Sequence, residues 1–212
     1  MYVFKTPGFF KKIWPRYTWQ IDTKEKILYL TFDDGPHPVA TPFVLDQLAK
    51  YNAKATFFCI GKNVQEHSSI YQRLINEGHS VGNHTHNHFN GWKTATPDYI
   101  KDVEEASRHI ESGLFRPPYG RIKSKQGKII SRQQHIIMWT VLTGDFDTSQ
   151  SWEYCNKKVL GQSKPGSILV FHDSEKAFPI LEKLLPSVLS YFKERGYRFE
   201  KLSAALLQKG EK

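Results

Sequence analysis

Short apolar runs alternate with longer stretches of helical periodicity from residue 27 onward, and this alternation constrains the fold more than any other feature. It is typical of repeated βα units and a largely parallel sheet. Buried strands are predicted at 27–32, 55–60, 136–141 and 167–171, with weaker candidates near 79–82, 114–116 and 197–200. Helices are predicted at 42–51, 68–77, 97–112, 124–132, 152–161, 178–195 and 202–209. Thr41 is the predicted cap of the first helix, and Gly78 ends the second.

The number of strand candidates narrows the choice of α/β fold. About seven candidates in 212 residues fall short of a TIM barrel, which has eight strands and ~250 residues. We therefore expect a distorted (β/α) barrel with about seven parallel strands, and an open doubly wound sheet is the alternative. At ~150 residues per domain, the length predicts one catalytic domain at 26–212, preceded by an N-terminal arm at 1–25.

The arm is basic and aromatic. Residues 1–20 carry four basic, seven aromatic and no acidic side chains. We expect these aromatics to cover the bottom of the domain; alternatively, the arm makes weak contact with an anionic membrane surface. The segment lacks the apolar stretch of about 7–15 residues and the cleavage site of a secretory signal. A cytoplasmic location is therefore expected, with the cell envelope or secretion as the alternative if a leader was removed.

Composition excludes several classes of protein. Hydrophobic residues make up 39% of the chain, which excludes a disordered chain, and no apolar run approaches the ~20 residues of a membrane helix. The net charge of +9 suits an acidic polymer, but no recognition motif or basic stripe indicates nucleic-acid binding. Cys59 and Cys155 form neither a disulfide framework nor a metal knuckle, so both are predicted to be buried free thiols. We expect a monomer.

Polar clusters follow four of the predicted strands. They are Asp33-Asp34-Gly35-Pro36, the run from Asn83 to His88, the run from Arg116 to Gly120, and His172-Asp173. In a barrel or a doubly wound sheet, functional side chains lie on the loops after the carboxyl ends of strands. The four clusters are therefore expected to meet at one rim.

The first cluster has two interpretations. Two carboxylates before Gly-Pro are common turn chemistry, in which they accept hydrogen bonds from backbone N–H groups. Successive side chains diverge at a strand end, however, so Asp33 and Asp34 could divide two roles. One would bind a metal, and its neighbour would face the water that attacks the substrate.

The run from 83 to 88 holds three of the nine histidines. The three histidines could be a surface patch without a function, but imidazole is also a common metal ligand. His84 and His88 would share a face on a helical turn, whereas His84 and His86 would share a face on a strand. Either pair, with one carboxylate, gives the ligand set of hydrolytic zinc enzymes.

His172 directly follows a predicted buried strand. A single histidine there is commonly a core residue bonded to a carbonyl. Beside a metal site it becomes a candidate general acid, because an imidazole with a pKa of ~6.5 can donate a proton near neutrality. Asp145 could hold that imidazole charged and oriented, and Arg116 could pair with Asp33 and keep it ionised.

Together these motifs resemble the polysaccharide deacetylase family, the NodB-like domain of carbohydrate esterase family 4. The matching segments are TFDDGP at 31–36, HTHNH at 84–88, RPPYG at 116–120, GDF at 144–146 and VFHD at 170–173. The resemblance covers about residues 26–205. It implies a distorted (β/α) barrel and hydrolysis of N-acetyl groups on amino-sugar glycans such as peptidoglycan, chitin or N-acetylglucosamine oligomers.

The resemblance also implies roles for individual residues. A divalent metal, usually zinc, with cobalt, nickel or manganese as alternatives, would be held by Asp34, His84 and His88. Asp33 resembles the general base, and Thr85 a residue that fixes the loop by hydrogen bonding. Arg116 resembles the arginine that tethers the base, and the backbone N–H of Tyr119 the oxyanion donor. His172 resembles the catalytic acid, with Asp145 as its partner, and Pro118, Phe146 and Val170 are expected at the substrate pocket.

The sequence departs from the family pattern at three positions. In the fourth motif, usually D-x-x-D-W, Leu142 replaces the first Asp and Phe146 the Trp. In the fifth motif Val170 replaces the usual Leu. These changes keep an apolar pocket but alter its shape, and therefore its substrate preference.

Two other functions remain open from the sequence. An O-acetyl esterase acting on xylan-type glycans could use the same site, since an ester leaving group needs less from His172. The chain could also be a non-catalytic glycan-binding module that uses its positive charge and its aromatic residues.

Overall fold

The protein is built around a half-barrel of parallel strands. A computed structural model describes residues 4–208. Its strands are β1 (Ile27–Asp33), β2 (Ala55–Cys59), β3 (Ser80–Asn83), β4 (Leu114–Phe115), β5 (His135–Ile136), β6 (Val141–Leu142), β7 (Ile168–His172) and β8 (Arg198–Phe199). Seven of them follow the order β5-β4-β3-β2-β1-β7-β6, and β8 pairs with the start of β1. The predicted distorted barrel of about seven parallel strands is confirmed.

Helices connect the strands and cover the outside of the sheet. They are α1 (Phe9–Ile13), α2 (Ala40–Lys50), α3 (Gly61–Glu66), α4 (Ser68–Asn76), α5 (Thr96–Ser107), α6 (Ser124–Ile130), α7 (Trp152–Gln162), α8 (Phe178–Glu194) and α9 (Ala204–Gln208). Helices α1 and α3 were not predicted. The prediction of a helix at 202–209 extends past the described residues. Within the described part of the chain, no helix is long and apolar enough to cross a membrane.

The core lies between the central strands and their helices. Every residue of β1 is buried, as expected for a parallel strand that is covered on both faces. The rings of Phe32, Phe57 and Phe171, one from each of β1, β2 and β7, stack at centroid distances of 5.0 and 5.5 Å. Cys59 and Cys155 are buried free thiols, as predicted. Because the centre of the sheet is rigidly packed, it fixes the strand ends that carry the polar clusters.

The prediction of one strand over 136–141 is wrong, because this segment divides into β5 and β6. The guanidinium of Arg116 donates hydrogen bonds to the carbonyls of Ile137 and Met138. The Met138 N–H donates to Thr18 of the arm. These groups therefore pair with a side chain and with the arm, and no continuous strand ladder forms here.

The arm lies along the open side of the half-barrel, and its last residues reach the bottom that its aromatics were predicted to cover, where Gln20 pairs with Ser167 just before β7. Thr18 pairs with Ile137 beyond the end of β5, and Lys5 pairs with Val141 of β6. Strands β5 and β6 are the two ends of the sheet and leave backbone groups free to pair. The described part of the arm, from residue 4, thus bridges the gap in the barrel.

The predicted Thr41 cap of α2 is also wrong. The helix begins at Ala40, and Nδ1 of His37 accepts hydrogen bonds from the N–H groups of Val39 and Ala40. The Thr41 hydroxyl instead donates to the buried carboxylate of Asp173 at 2.5 Å. This side chain therefore links the helix to the loop after β7.

Candidate active site

Strand register brings the polar clusters to one rim. Asp33 at the end of β1 is paired with His172 at the end of β7. Asn83 at the end of β3 is paired with Phe115 at the end of β4. Since these are parallel strands of one sheet, the loops that begin at 34, 84, 116 and 173 leave on the same side. The expected convergence is confirmed.

Asp34, His84 and His88 form a group that could hold a metal ion. One ligand atom from each lies within 4.8 Å of the others. The distance to Asp34 Oδ1 is 3.2 Å from His88 Nε2 and 3.7 Å from His84 Nε2. Nδ1 of His84 lies 2.7 Å from the carbonyl of Arg116, which fixes the tautomer that leaves Nε2 free to coordinate. The donor set therefore fits a divalent metal.

The loop from 84 to 88 joins the two imidazoles without being a helix. Thr85 and His88 adopt left-handed backbone angles, φ 65° and 56°. Thr85 accepts a hydrogen bond from Phe89 N–H at its hydroxyl, and its own N–H donates to the side chain of Asn83. A bent loop thus brings His84 and His88 together, and not the helical turn that their spacing suggests.

His86 lies outside this group. The centre of its ring lies 5.8 Å from that of His109. Its Nδ1 packs so closely against Gly61 that a Cβ at that glycine would collide with it. Asp102 holds this part of the loop by accepting from the N–H groups of His86 and Asn87. The alternative pair of His84 with His86 is therefore not supported.

The charges around the candidate metal site favour coordination. Burial raises the pKa of Asp34, but its hydrogen bond with His88 and the nearby imidazoles outweigh this and lower it. Burial lowers the pKa of His84 to about 4, although Asp33 opposes the shift. At neutral pH Asp34 is therefore ionised and His84 is neutral, which are the forms that bind a cation.

Asp33 and Arg116 form a buried ion pair beside the metal group. Nη1 of Arg116 lies 2.7 Å from Asp33 Oδ1, and the two side chains are 0% and 6% exposed. The same nitrogen donates to the Thr31 hydroxyl, and the guanidinium lies 4.1 Å from the ring centre of Phe58. Burial lowers the pKa of Arg116, which Asp33 partly offsets. The pairing predicted between these residues is present.

His172 and Asp145 form a second pair, and His172 lies next to Asp33 in the register of β1 and β7. Nδ1 of His172 lies 2.8 Å from Asp145 Oδ1, and the His172 N–H donates to Oδ2 at 2.7 Å. Burial alone would lower the pKa of His172, but Asp145, followed by Asp34 and Asp33, raises it to about 9. The imidazole is therefore protonated near neutrality, as a general acid must be.

The remaining predicted site residues surround these groups. The Tyr119 ring lies 4.6 Å from the His88 ring, and the residue adopts φ 60° in the 3-10 turn that starts at the buried Pro118. Phe146 contacts His172 edge to face at 5.0 Å. Val170 is buried and lies two residues before His172 on β7, so both face the same side of the sheet.

The sequence reasoning missed a buried carboxylate that orders the Asp34 loop. Asp173 is fully buried and accepts hydrogen bonds from the Gly35 N–H and the Thr41 hydroxyl. Burial raises its pKa to about 8. Asn63 also donates to the carbonyl of Asp34 at 2.7 Å. The adjacency of His172 and Asp173 was the available signal, but only the fold shows that their side chains serve different loops.

The chain belongs to the polysaccharide deacetylase family. The sequence model of the family described as Polysaccharide deacetylase matches residues 20–135, more than half of the chain. This match, together with the relatives below, confirms the family resemblance that the motifs predict.

Two curated relatives come from Bacillus cereus, and both are named peptidoglycan-N-acetylglucosamine deacetylase. One is 34% identical over 200 residues, which cover 91% of this chain and 93% of that protein. The other is 36% identical over 182 residues, which cover 80% of this chain and 64% of that protein. The crystal structure of the Bc1960 peptidoglycan N-acetylglucosamine deacetylase superposes with a TM-score of 0.82 at 33% identity, covering 91% of this chain and 94% of that one.

Proposed function

We propose that this chain hydrolyses N-acetyl groups of amino-sugar glycans to a free amine and acetate, with peptidoglycan, chitin or N-acetylglucosamine oligomers as the substrate. One observation carries the proposal. The group Asp34, His84 and His88, the Asp33–Arg116 pair and the His172–Asp145 pair all lie at neighbouring strand ends. Family membership supports the same reaction class. A purely binding module has no use for a base and an acid on either side of a metal group.

Asp33 is the proposed general base. Asp34, His84 and His88 would hold a divalent metal, which would lower the pKa of the attacking water and polarise the acetyl carbonyl. Asp33 accepts the proton of that water, and Arg116 keeps the carboxylate charged and fixed in orientation. The Tyr119 N–H is the proposed donor to the carbonyl oxygen as this gains negative charge. Such a donor contributes ~3–4 kcal/mol.

His172 is the proposed general acid. The leaving amine of an amide departs readily only if its nitrogen is protonated, and the protonated imidazole can supply that proton. Asp145 holds the ring through Nδ1, so Nε2 is the atom that donates. An ester leaving group needs this proton less. His172→Ala is therefore expected to reduce amide hydrolysis more than hydrolysis of an O-acetyl ester.

We propose zinc as the resident metal. Two imidazoles and one carboxylate with open positions are the ligand set of catalytic zinc sites, and cobalt, nickel and manganese accept the same donors. Metal analysis of the purified chain, followed by reconstitution with each ion in turn, measures the preference. Highest turnover with another ion at equal occupancy would contradict the assignment.

The test of the function is acetate release from N-acetylglucosamine oligomers, chitin and peptidoglycan in the presence of zinc or cobalt. We expect release from at least one of them, and no release from any of them with metal bound would refute the proposal. Asp33→Asn is expected to abolish turnover and leave the metal content intact. Loss of metal in this variant would mean that the roles of Asp33 and Asp34 are reversed.

The other partner assignments stay predictions. We expect a monomer with a glycan substrate and no nucleic-acid partner, which light scattering and a nucleic-acid binding assay measure. Weak contact of residues 1–20 with an anionic membrane stays a prediction that vesicle flotation tests. The cytoplasmic location, with the cell envelope or secretion as its alternative, also stays a prediction, and cell fractionation tests it.

A further inference from the structure

The arm forms one wall of a cleft beside the candidate active site. This space, which we call the arm cleft, has a volume of about 700 Å³, within the ~300–1,000 Å³ typical of ligand sites. Its aromatic walls include Trp14 and Tyr17 of the arm and Trp92, Tyr119 and Trp139 of the domain. Of these side chains, only Tyr119 belongs to a residue with a role proposed above, and that role uses its backbone N–H.

Tyr119 makes the arm cleft continuous with the reaction centre. The residue is 61% exposed and lines the cleft, and its ring lies 4.6 Å from the ring of His88. The turn that carries it is packed tightly, since a Cβ added at Gly120 would lie 2.5 Å from the Trp139 ring. A polymer with one sugar at the metal group can therefore extend its neighbouring sugars into the mouth of this cleft.

The walls of the arm cleft suit pyranose rings. A pyranose has an apolar face of C–H groups and a polar edge of hydroxyl groups, so flat aromatic side chains with polar neighbours are its natural partners. Trp92 and Trp14 are 59% and 37% exposed, which is unusual for the largest aromatic side chain. Thr6 and Ser124 are among the lining residues and offer hydroxyl groups. The cleft thus combines both kinds of surface.

The charged groups of the arm cleft are positive. Arg121 and Lys123 line it, and none of the described lining residues is acidic. Arg121 lies 5.2 Å from the ring centre of Trp92, and Lys123 donates to the carbonyl of Thr94. Both cations are therefore held near the wall. This arrangement favours a glycan that carries carboxylate substituents over a neutral one.

We propose that the arm cleft binds the sugars that flank the residue being deacetylated, and that it prefers acidic glycans. The inference rests on the proposed function for the identity of the polymer, but binding in the cleft can be measured without turnover. It assigns the N-terminal arm a role in substrate selection. Without the arm, the open side of the half-barrel would lack one wall of this groove.

The first test measures kcat/KM for acetate release from N-acetylglucosamine oligomers of two to six sugars. We expect wild type to prefer the longer oligomers, and Trp14→Ala or Trp92→Ala to lower the ratio of long-chain to short-chain kcat/KM. A decrease of about three- to ten-fold is expected from the loss of one aromatic stacking contact. The matched control is Phe9→Ala on helix α1, which ends one residue before Trp14, since Phe9 is 54% exposed and does not line the cleft.

The second test measures binding by tryptophan fluorescence, with the same oligomers and with peptidoglycan fragments that bear carboxylates. We expect Kd to fall with chain length and fragments with carboxylates to bind more tightly, a preference that Arg121→Gln reduces. Equal Kd values for all lengths in folded wild type would overturn the cleft proposal. Length-dependent binding without acetate release would support the cleft while refuting the proposed function. If Trp14→Ala and Phe9→Ala instead weaken vesicle flotation equally and leave chain-length preference unchanged, the arm is a membrane contact and the proposal is wrong.

Discussion

Replacing Arg116 by Met tests how far the candidate site depends on one buried cation. The guanidinium is 0% exposed and donates to Thr31, Asp33, Ile137 and Met138. Met fills much of the volume but leaves the carboxylate of Asp33, whose side chain is only 6% exposed, without its partner. Breaking a buried ion pair by removing one member costs ~3–5 kcal/mol.

This cost corresponds to a measurable change in thermal stability. At ~2–4 °C per kcal/mol for a chain of this size, Arg116→Met is expected to lower Tm by about 6–20 °C. Adding Asp33→Asn removes the uncompensated charge, so the double variant should unfold at a higher temperature than Arg116→Met. Recovery is expected to be partial, because the carbonyls of Ile137 and Met138 still lack their donors and each such loss costs ~1–3 kcal/mol.

Calorimetry or circular dichroism of the metal-free protein measures these values. The control is Arg108→Met, whose side chain is 73% exposed and whose replacement should change stability by less than ~0.5 kcal/mol. A Tm for Arg116→Met equal to that of wild type would refute the reasoning. A double variant no more stable than Arg116→Met would show that the uncompensated charge is not the cause.

Three further predictions concern the acid, the loop after β1 and the metal. Asp145→Asn removes the charge that raises the pKa of His172 to about 9. The loss of activity at alkaline pH should therefore begin at a lower pH than in wild type, and an unchanged pH–rate profile at equal metal occupancy would contradict this. Gly35→Ala places a Cβ against Asp173, so it should lower the free energy of unfolding by ~1–3 kcal/mol and weaken metal binding. The control is Gly161→Ala, where a Cβ meets nothing within 4 Å and should not destabilise helix α7. Equal unfolding temperatures for the two variants would refute the steric argument. Removing metal with a chelator should abolish turnover. Zinc at 100 times its Kd should raise the free energy of unfolding of the metal-free protein by ~2.7 kcal/mol. The same Tm with and without zinc would argue against the site.

The composition of the site could be predicted from sequence because its residues immediately follow strands. The alternation of strands and helices predicts parallel strands, and parallel strands bring their carboxyl ends to one rim. The pairings of Arg116 with Asp33 and of Asp145 with His172 therefore follow from chain position and charge. Position and charge left the choice between His86 and His88 open, because that choice depends on left-handed residues in a loop that no periodicity describes. Only the family resemblance pointed to His88.

Local sequence determined the class of fold and the family, because hydrophobic periodicity and short polar motifs are properties of consecutive residues. Only the tertiary structure decided what depends on distant segments. It placed the arm along the open side of the half-barrel, because strands β5 and β6 leave backbone groups that residues near Lys5 and Thr18 can pair with. It also ended the strand predicted at 136–141, because the side chain of Arg116 takes carbonyls that a strand ladder would need. The arm cleft arises from the same packing, since its walls come from segments that lie more than a hundred residues apart in the chain.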